Sequence, residues 1–322
     1  MIVSEKLTRR YGDLVAVDSV NFTIQAGEIV GLLGHNGAGK TTIMKMMTGY
    51  LEPSAGGVSF DGVPMHSEHA LENSTLKQKL GYLAENLPLY PEMNVIDYLD
   101  YTAQLHGVGE PDRPSAVRKA IEETDLHDKA FELISTLSRG YRQRVGVAQA
   151  VLHAPAYLIM DEPTNGLDPS QTAHMRELIR RLSRTSTIVL STHIMQEVNA
   201  LCDRVLILRE GRLVLDEALQ AIKHSARLLL NTNADLSEVN KVLCEISELS
   251  SAVNLNTTDD ANEIALPLQG AGDIQSVAAD VAKCLVANNI PIYSLVPEQR
   301  DLEALFQQAG QSATDQEMSH VG

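Results

Sequence analysis

Tryptophan is absent from this chain, and aromatic residues together make up only 4% of it. Surfaces that bind nucleic acid by stacking need aromatic faces, so that class of function is disfavoured. A basic excess is missing too: 26 Lys and Arg stand against 42 Asp and Glu, a formal net charge of −16. Neutralising a phosphate backbone requires the opposite balance, and no nucleic-acid partner is expected. The only three cysteines, Cys202, Cys244 and Cys284, are far apart and form no CxxC or Cys/His cluster. This excludes a disulfide framework and suits a reducing compartment. No apolar run approaches the ~20 residues of a membrane helix. The opening MIVSEKLTRR has neither the apolar core nor the cleavage site of a signal peptide. The expectation is a cytoplasmic chain that does not itself cross a membrane.

What is present is 322 residues, 44% hydrophobic and 21% charged. That composition is ordinary for a globular protein, and the length predicts two domains. Short Val-, Ile- and Leu-rich runs, EIVGLLG (28–34), AYLIMDEP (156–163), STIVLSTH (186–193) and RVLILREG (204–211), read as buried strands of a parallel sheet covered on both faces. Helical spacing in NVIDYLDYTAQLHG (94–107) and SQTAHMRELIRRL (170–182) lies between them, giving an α/β sandwich. The stretch 86–153 lacks strand patterns and reads as a helical subdomain inserted into the sheet. Beyond about residue 225 the pattern changes to RLLLNT, a helical face marked by Leu236, Val239, Leu243 and Ile246, then AVNLNT, EIALPLQ, a helix over 272–288, and PIYSLV. This βαββαβ order predicts a small α+β domain of ferredoxin-like type, followed by a last helix at DLEALFQQAG. The region holds 14 Asp and Glu against 4 Lys and Arg, so most of the negative charge lies there. The expected boundaries are 1–222 and 226–309, with 310–322 a disordered tail.

GHNGAGKTT (34–42) follows a predicted strand and precedes a helical run, the context that gives G-x-x-x-x-G-K-[ST] its meaning. Gly34, Gly37 and Gly39 allow the backbone to curl so that successive N–H groups form an anion nest. The positive end of the following helix adds to the attraction. The phosphate-binding set is Gly34, Asn36, Gly37, Ala38, Gly39, Lys40, Thr41 and Thr42. Lys40 would reach the β- and γ-phosphates, and the Thr41 hydroxyl would ligate Mg²⁺. Met44, Met46 and Met47 invite comparison with soft copper ligands, but on a helix against a sheet they are expected to be core filler. His35 has no second ligand in view and is expected to face solvent.

YLIMDEPTNGLD (157–168) delivers Asp161 and Glu162 at the carboxyl end of an apolar strand, where α/β sheets place their ligands. Asp161 would hold Mg²⁺ through water, and Glu162 would orient or polarise an attacking water. His193, closing LSTH (190–193), would contact the γ-phosphate and keep Glu162 in register. LSRGYRQR (137–144) reads as the entrance to a helix, with Ser138 as its cap and arginines in the first turn. It is an anion-friendly end with no obvious partner nearby in sequence.

Taken in order, GHNGAGKTT, LSRGYRQR, LIMDEP, GLD and STH resemble the nucleotide-binding domain of ABC transporters over residues 2–220. The pairing of a P-loop with an LSxG helix start just before the Asp-Glu strand makes the likeness specific. It implies a P-loop NTPase fold of ABC type, with ATP and Mg²⁺ as cofactors and Glu162, His193 and Lys40 as the catalytic residues. It also implies that Ser138 and the Gly140 N–H complete the ATP site of a second, identical subunit in a head-to-tail dimer. Tyr11 matches the aromatic that stacks on adenine, and Asp168 matches the loop that links the two sites. Arg139 and Tyr141 depart from the LSGGQ pattern; Arg139 is read as meeting either phosphate or ribose, or as solvated.

The largest departure is Glu85 in GYLAEN, where the family usually has a Gln that touches Mg²⁺. A carboxylate is a hard oxygen ligand and can serve the same ion, so the expected metal set is Thr41, Glu85 and Asp161. ENLPLYPEMNVIDYL (85–99) looks like ABC-2-type exporter ATPases, and subgroups linked to gliding motility and to nitrous-oxide-reductase copper maturation are similar around the Glu. An integral membrane permease is the implied partner, holding the chain at the inner face of the cell membrane. Leu87, Leu89, Tyr90 and Met93 are candidates for that contact, with core packing as the competing role. The alternatives are a soluble ABC ATPase with no membrane partner and an ATPase for copper-site maturation.

Overall fold

The computed structural model describes residues 1–66, 75–223, 227–244, 246–257, 262–269 and 274–298. The expected helix at 301–310 and the tail lie outside the described residues. The chain divides into two compact units, the first ending at Leu219 and the second starting at Gln220.

The first unit begins with β1 (Ile2–Tyr11), β2 (Leu14–Ile24), β3 (Ile29–Leu33), α1 (Lys40–Met47), β4 (Ala55–Phe60), β5 (Val63–Pro64) and β6 (Leu80–Leu83). It continues with α2 (Val95–Leu105), α3 (Arg113–Glu123), α4 (Arg139–Val151), β7 (Tyr157–Asp161), α5 (Pro169–Leu182), β8 (Thr187–Thr192), α6 (Met195–Leu201), β9 (Arg204–Arg209) and β10 (Arg212–Ala218). The main sheet runs β10-β9-β3-β8-β7-β6. β9, β3, β8, β7 and β6 pair in parallel, and β10 joins one edge antiparallel to β9. Every residue of β3, β7 and β8 is buried, which is why these strands read as continuous apolar runs.

A second, antiparallel sheet of order β2-β1-β4-β5 has no counterpart in the expected parallel architecture. β1 and β2 are long, but β1 slips register against β2 at three points. Lys6 and Ser19 take positive φ angles of 46° and 51°. Each bulge resets the alternation of faces, so the period-two signal that marks a half-buried strand is lost.

Alternation within the parallel strands divides the interior into two cores. Ile29, Leu158, Met160, Ile188 and Leu190 face a cluster built with α2 to α5. Val30, Leu32, Tyr157, Ile159 and Val189 face the other side, toward β1, β2, β4 and α1. Met44, Met46 and Met47 are fully buried in that second cluster, so they fill the space under the antiparallel sheet as unbranched side chains do.

The second unit includes β11 (Arg227–Thr232), α8 (Leu236–Leu243), β12 (Val253–Thr257), β13 (Asn262–Pro267), α9 (Ile274–Ala287) and β14 (Ser294–Pro297), after a short α7 (Leu219–Lys223) at the junction. Its sheet order is β12-β13-β11-β14, antiparallel throughout. This is the βαββαβ arrangement, with the fourth strand beside the first. Leu228, Leu230, Ile264 and Leu266 form one face and pack with Val239 and Leu243 of α8 and Val277, Val281 and Leu285 of α9. No helix among the described residues is long and apolar enough to cross a membrane.

In the first unit, His106 after α2 and His153 after α4 stack with ring centroids 4.3 Å apart and planes 9° from parallel. His153 Nε2–H donates to the Leu80 carbonyl at 2.9 Å. Burial, then the neighbouring His153, pushes the His106 pKa from 6.5 down to about 4. Protonation is therefore disfavoured in the fold but not in the unfolded chain. His106 thus contributes stability that is full above pH 6.5 and is lost as pH falls toward 4. Urea unfolding followed by circular dichroism should show a larger loss of stability between neutral pH and about pH 5.5 in the wild-type chain than in His106→Phe, which keeps the stack but cannot titrate. Equal losses would remove His106 as the cause.

Candidate functional site

Parallel pairing sets the site. Leu33 of β3 lies opposite Thr192 of β8, and Asp161 of β7 lies opposite Ser191. The three strands therefore end level, and whatever follows them shares one edge of the sheet. Crevices at the carboxyl ends of such strands are where open α/β sheets bind ligands.

The loop after β3 is built for close approach. A β-carbon at Gly34 would lie 2.7 Å from the Leu208 carbonyl oxygen and 2.9 Å from the Ala38 β-carbon. Gly39 has φ 103°, and a β-carbon there would meet the Ala16 carbonyl at 2.7 Å. Gly37 also takes a positive φ, His35, Asn36 and Gly37 are exposed along the loop, and Ala38 is buried beneath it. α1 starts directly at Lys40, with Gly39 as an N-cap that has no side chain to offer. The first N–H groups of a helix have no acceptor within it, so those of Lys40, Thr41 and Thr42 suit this loop to an anion.

Lys40 is buried, and its Nζ donates to the carbonyls of Gly34 at 2.7 Å and His35 at 3.2 Å. It also stands 3.5 Å from Glu162 Oε1, an ion pair with both side chains less than a tenth exposed. The other carboxylate oxygen, Oε2, accepts from His193 Nδ1 at 3.0 Å, which fixes the Nδ1–H tautomer and turns Nε2 outward. Glu162 itself has φ 50°, a left-handed conformation that costs an L residue about 1–3 kcal/mol and clusters at functional sites. Ser191 holds that turn in place: its hydroxyl accepts from the Glu162 N–H at 2.9 Å and donates to Asp161 Oδ1 at 2.5 Å. Ser191 had no expected role. Its only signal in the sequence is a small polar residue in a strand whose six positions are all buried.

Asp161 is fully buried, and its Oδ2 finds no hydrogen-bond partner among the described residues. The Thr41 hydroxyl lies 3.3 Å from Oδ1. Thr41, Glu85 and Asp161 line one cavity of about 520 Å³, together with Tyr82, His106 and Gln149. Burial, with the charges of Asp161 and then Glu85, pushes the Tyr82 hydroxyl pKa upward. An unpartnered buried carboxylate oxygen beside a hydroxyl and a second carboxylate is a donor set of hard oxygens. It fits Mg²⁺, which takes one or two carboxylates and completes its shell with water and phosphate.

The remaining expected residues gather elsewhere. Ser138 caps α4, accepting from the Tyr141 N–H at 3.4 Å, and Asp168 caps α5, accepting from the Gln171 N–H at 2.8 Å. These bonds stay within their own helices and do not reach the Lys40 group. Tyr11 is about half exposed at the end of β1, with the Arg9 guanidinium 4.6 Å from its ring centre. Leu87 and Leu89 line a second cavity of about 390 Å³ with Glu85, Pro91, Ile134 and Arg139. Tyr90 is exposed and packs edge-on to Tyr98 and Tyr101, whereas Leu87, Leu89 and Met93 are partly buried against the helical core.

Ser191→Ala removes the acceptor of a buried amide and the donor to Asp161. The free energy of unfolding should fall by about 1–3 kcal/mol, measured by urea titration. A change within error would mean that the hydroxyl does not hold the Glu162 turn.

Residues 17–165 match the ABC transporter family. The chain is 30% identical over 309 residues to the uncharacterized ABC transporter ATP-binding protein YdbJ of Bacillus subtilis (strain 168), covering 94% of this chain and 92% of that one. It is 37% identical over 220 residues to the Nod factor export ATP-binding protein I of Burkholderia lata, covering 67% and 70%. In structure it is similar to cbiO1 from Clostridium perfringens, part of the ABC transporter complex cbiONQ. The TM-score is 0.63 at 26% identity, over 76% of this chain and 95% of that one. The fold is also that of MJ0796, a bacterial ABC transporter cassette solved as a dimer, with a TM-score of 0.63 at 23% identity over 68% of this chain and 99% of that one. Similarity of this extent, carried by a chain whose strand ends bring Lys40, Asp161, Glu162 and His193 together, means that this protein belongs to the ATP-binding subunits of ABC transporters, a family of ATPases.

Proposed function

We propose that two copies of this chain close head-to-tail on two ATP molecules and that the closure works a separate membrane permease of export type. The observation that carries this reading is the start of α4. Its cap Ser138 is exposed, no acid lies in its first turn, and Arg139 and Arg142 follow. A helix end of that kind attracts an anion, and its hydrogen bonds are separate from the Lys40 group of its own chain. Ser138 and the Gly140 N–H are therefore assigned to the γ-phosphate held by a partner copy's cradle, and Asp168 to the link between the two sites.

Within one chain the roles divide by position. The cradle residues Gly34, Asn36, Gly37, Ala38, Gly39, Thr41 and Thr42 bind the phosphates, with Lys40 at the β- and γ-phosphates, while Tyr11 stacks on adenine. Thr41, Asp161 and Glu85 hold Mg²⁺, which when bound neutralises charge on the phosphate oxygens. Glu162 orients the attacking water and takes its proton, and His193, held through Nδ1, keeps Glu162 facing the γ-phosphate. ATP binding at both interfaces favours the closed pair, and loss of the γ-phosphate removes the group that both halves grip. The cavity lined by Leu87 and Leu89 is the proposed seat of the permease, at the cytoplasmic face of the membrane. Export is supported by the name of the Nod factor relative.

Glu162→Gln should bind ATP, fail to hydrolyse it, and run as a dimer in size-exclusion chromatography with ATP and Mg²⁺. A variant that stays monomeric under those conditions would sink the paired mechanism. Glu85→Gln should keep hydrolysis but shift its Mg²⁺ dependence to higher concentration, because an amide replaces a charged oxygen ligand. Superimposable Mg²⁺ titrations of the two proteins would take Glu85 out of the metal set.

A further inference from the structure

The starts of α4 and α5 are joined by two contacts that mirror each other. Gly166, in the loop before α5, has φ 70°, and a β-carbon on it would fall 2.3 Å from Arg139 Cζ and 2.6 Å from each of that residue's terminal nitrogens. Because Cζ is nearest and the two nitrogens are equidistant, the guanidinium lies face-on over the Gly166 backbone. In the other direction, a β-carbon on Gly140 would fall 2.7 Å from Gln171 Cδ and 2.8 Å from its Oε1. The amide of α5 thus lies over the glycine of α4. Each helix start gives a planar side chain to a glycine of the other, and neither glycine can carry a side chain without displacing that partner. Arg139 is exposed to solvent, but its guanidinium could meet phosphate or ribose only by leaving Gly166. The space beside Gly140 is filled by the same chain.

We propose that Arg139 and Gln171 are positioning residues that clasp the starts of α4 and α5 into one block, so that Ser138 and Asp168 meet a partner's nucleotide at fixed spacing. This rests on the paired arrangement proposed above. The two caps are the polar groups that face the other copy, and each is only a single hydrogen bond from fraying. Without the clasp, each cap would move with its own helix. The loop between them is short and internally bonded, Asn165 N–H to the Glu162 carbonyl and Leu167 N–H to that of Thr164. A displacement of Gly166 is therefore passed to Glu162 as well as to Asp168. Arg139 also lines the cavity that holds Glu85, Leu87 and Leu89, so the clasp adjoins the proposed seat of the permease.

The test uses the full chain and two readouts. Amide hydrogen exchange without nucleotide reports on the clasp in a single copy. Arg139→Ala should speed exchange at Asn165 and Leu167 while leaving β3 and β8 unchanged, and Gln171→Ala should act on the same amides. Unchanged exchange there overturns the clasp. The second readout is the ATP concentration needed for dimerisation in the Glu162→Gln background. Arg139→Ala should raise it about tenfold, equivalent to about 1.4 kcal/mol of pairing free energy. Arg139→Lys separates charge from planar contact: it should remain as defective as Arg139→Ala. Full restoration by Lys would mean a phosphate contact instead and would overturn the proposal. Faster exchange with unaltered dimerisation would overturn the role in pairing. If Glu162→Gln itself never dimerises, the paired mechanism falls, and the exchange result still decides the clasp.

Discussion

The edge of the sheet that carries the candidate site depends on the register of three parallel strands. Because Leu33 sits opposite Thr192 and Asp161 opposite Ser191, the cradle, the Asp161–Glu162 turn and His193 need no long side chains to find one another. A slip of one residue in either pairing would send every alternate side chain to the other face. It would exchange residues between the two cores and carry Asp161 away from Thr41. Burial on both faces makes such a slip expensive, so the polar geometry at the strand ends is enforced by apolar packing well below it.

That geometry is closely interlocked. Glu162 is bound at one oxygen by Lys40 and at the other by His193, and its backbone is anchored by Ser191. Ser191 in turn holds one oxygen of Asp161, and the other has no partner among the described residues. The strained backbone at Glu162 is kept in place by these contacts, which fits the general expectation that strain at a functional site is maintained by its surroundings. Lys40 and Glu162 are both largely removed from water, so their charges act on each other with little screening.

Much of this was legible in the sequence, for reasons that differ between elements. The parallel strands announce themselves because burial on both faces leaves no polar alternation to interpret. The cradle is legible because its glycines answer to positive φ angles and close backbone approaches at Gly34, Gly37 and Gly39. The antiparallel sheet was hidden by the bulges near Lys6 and Ser19, which break the period of two. β6 was hidden by its shortness, four residues including Gly81. Ser191 carries no signal of its own, because a serine at a strand end is commonplace until its two partners are known. The contact between Arg139 and Gly166 joins segments distant in sequence, so no local pattern could have shown it.

The reciprocal packing at the two helix starts also constrains how this chain can change over generations. Where a guanidinium occupies the place of a β-carbon, a side chain at 166 would require Arg139 to move, and one at 140 would require Gln171 to move. Replacing Arg139 by a small residue would uncover Gly166 without releasing it, since its backbone angle still favours glycine. Routes through sequence space toward the commoner signature are therefore lopsided: the arginine can be surrendered in one step, whereas the glycine opposite cannot.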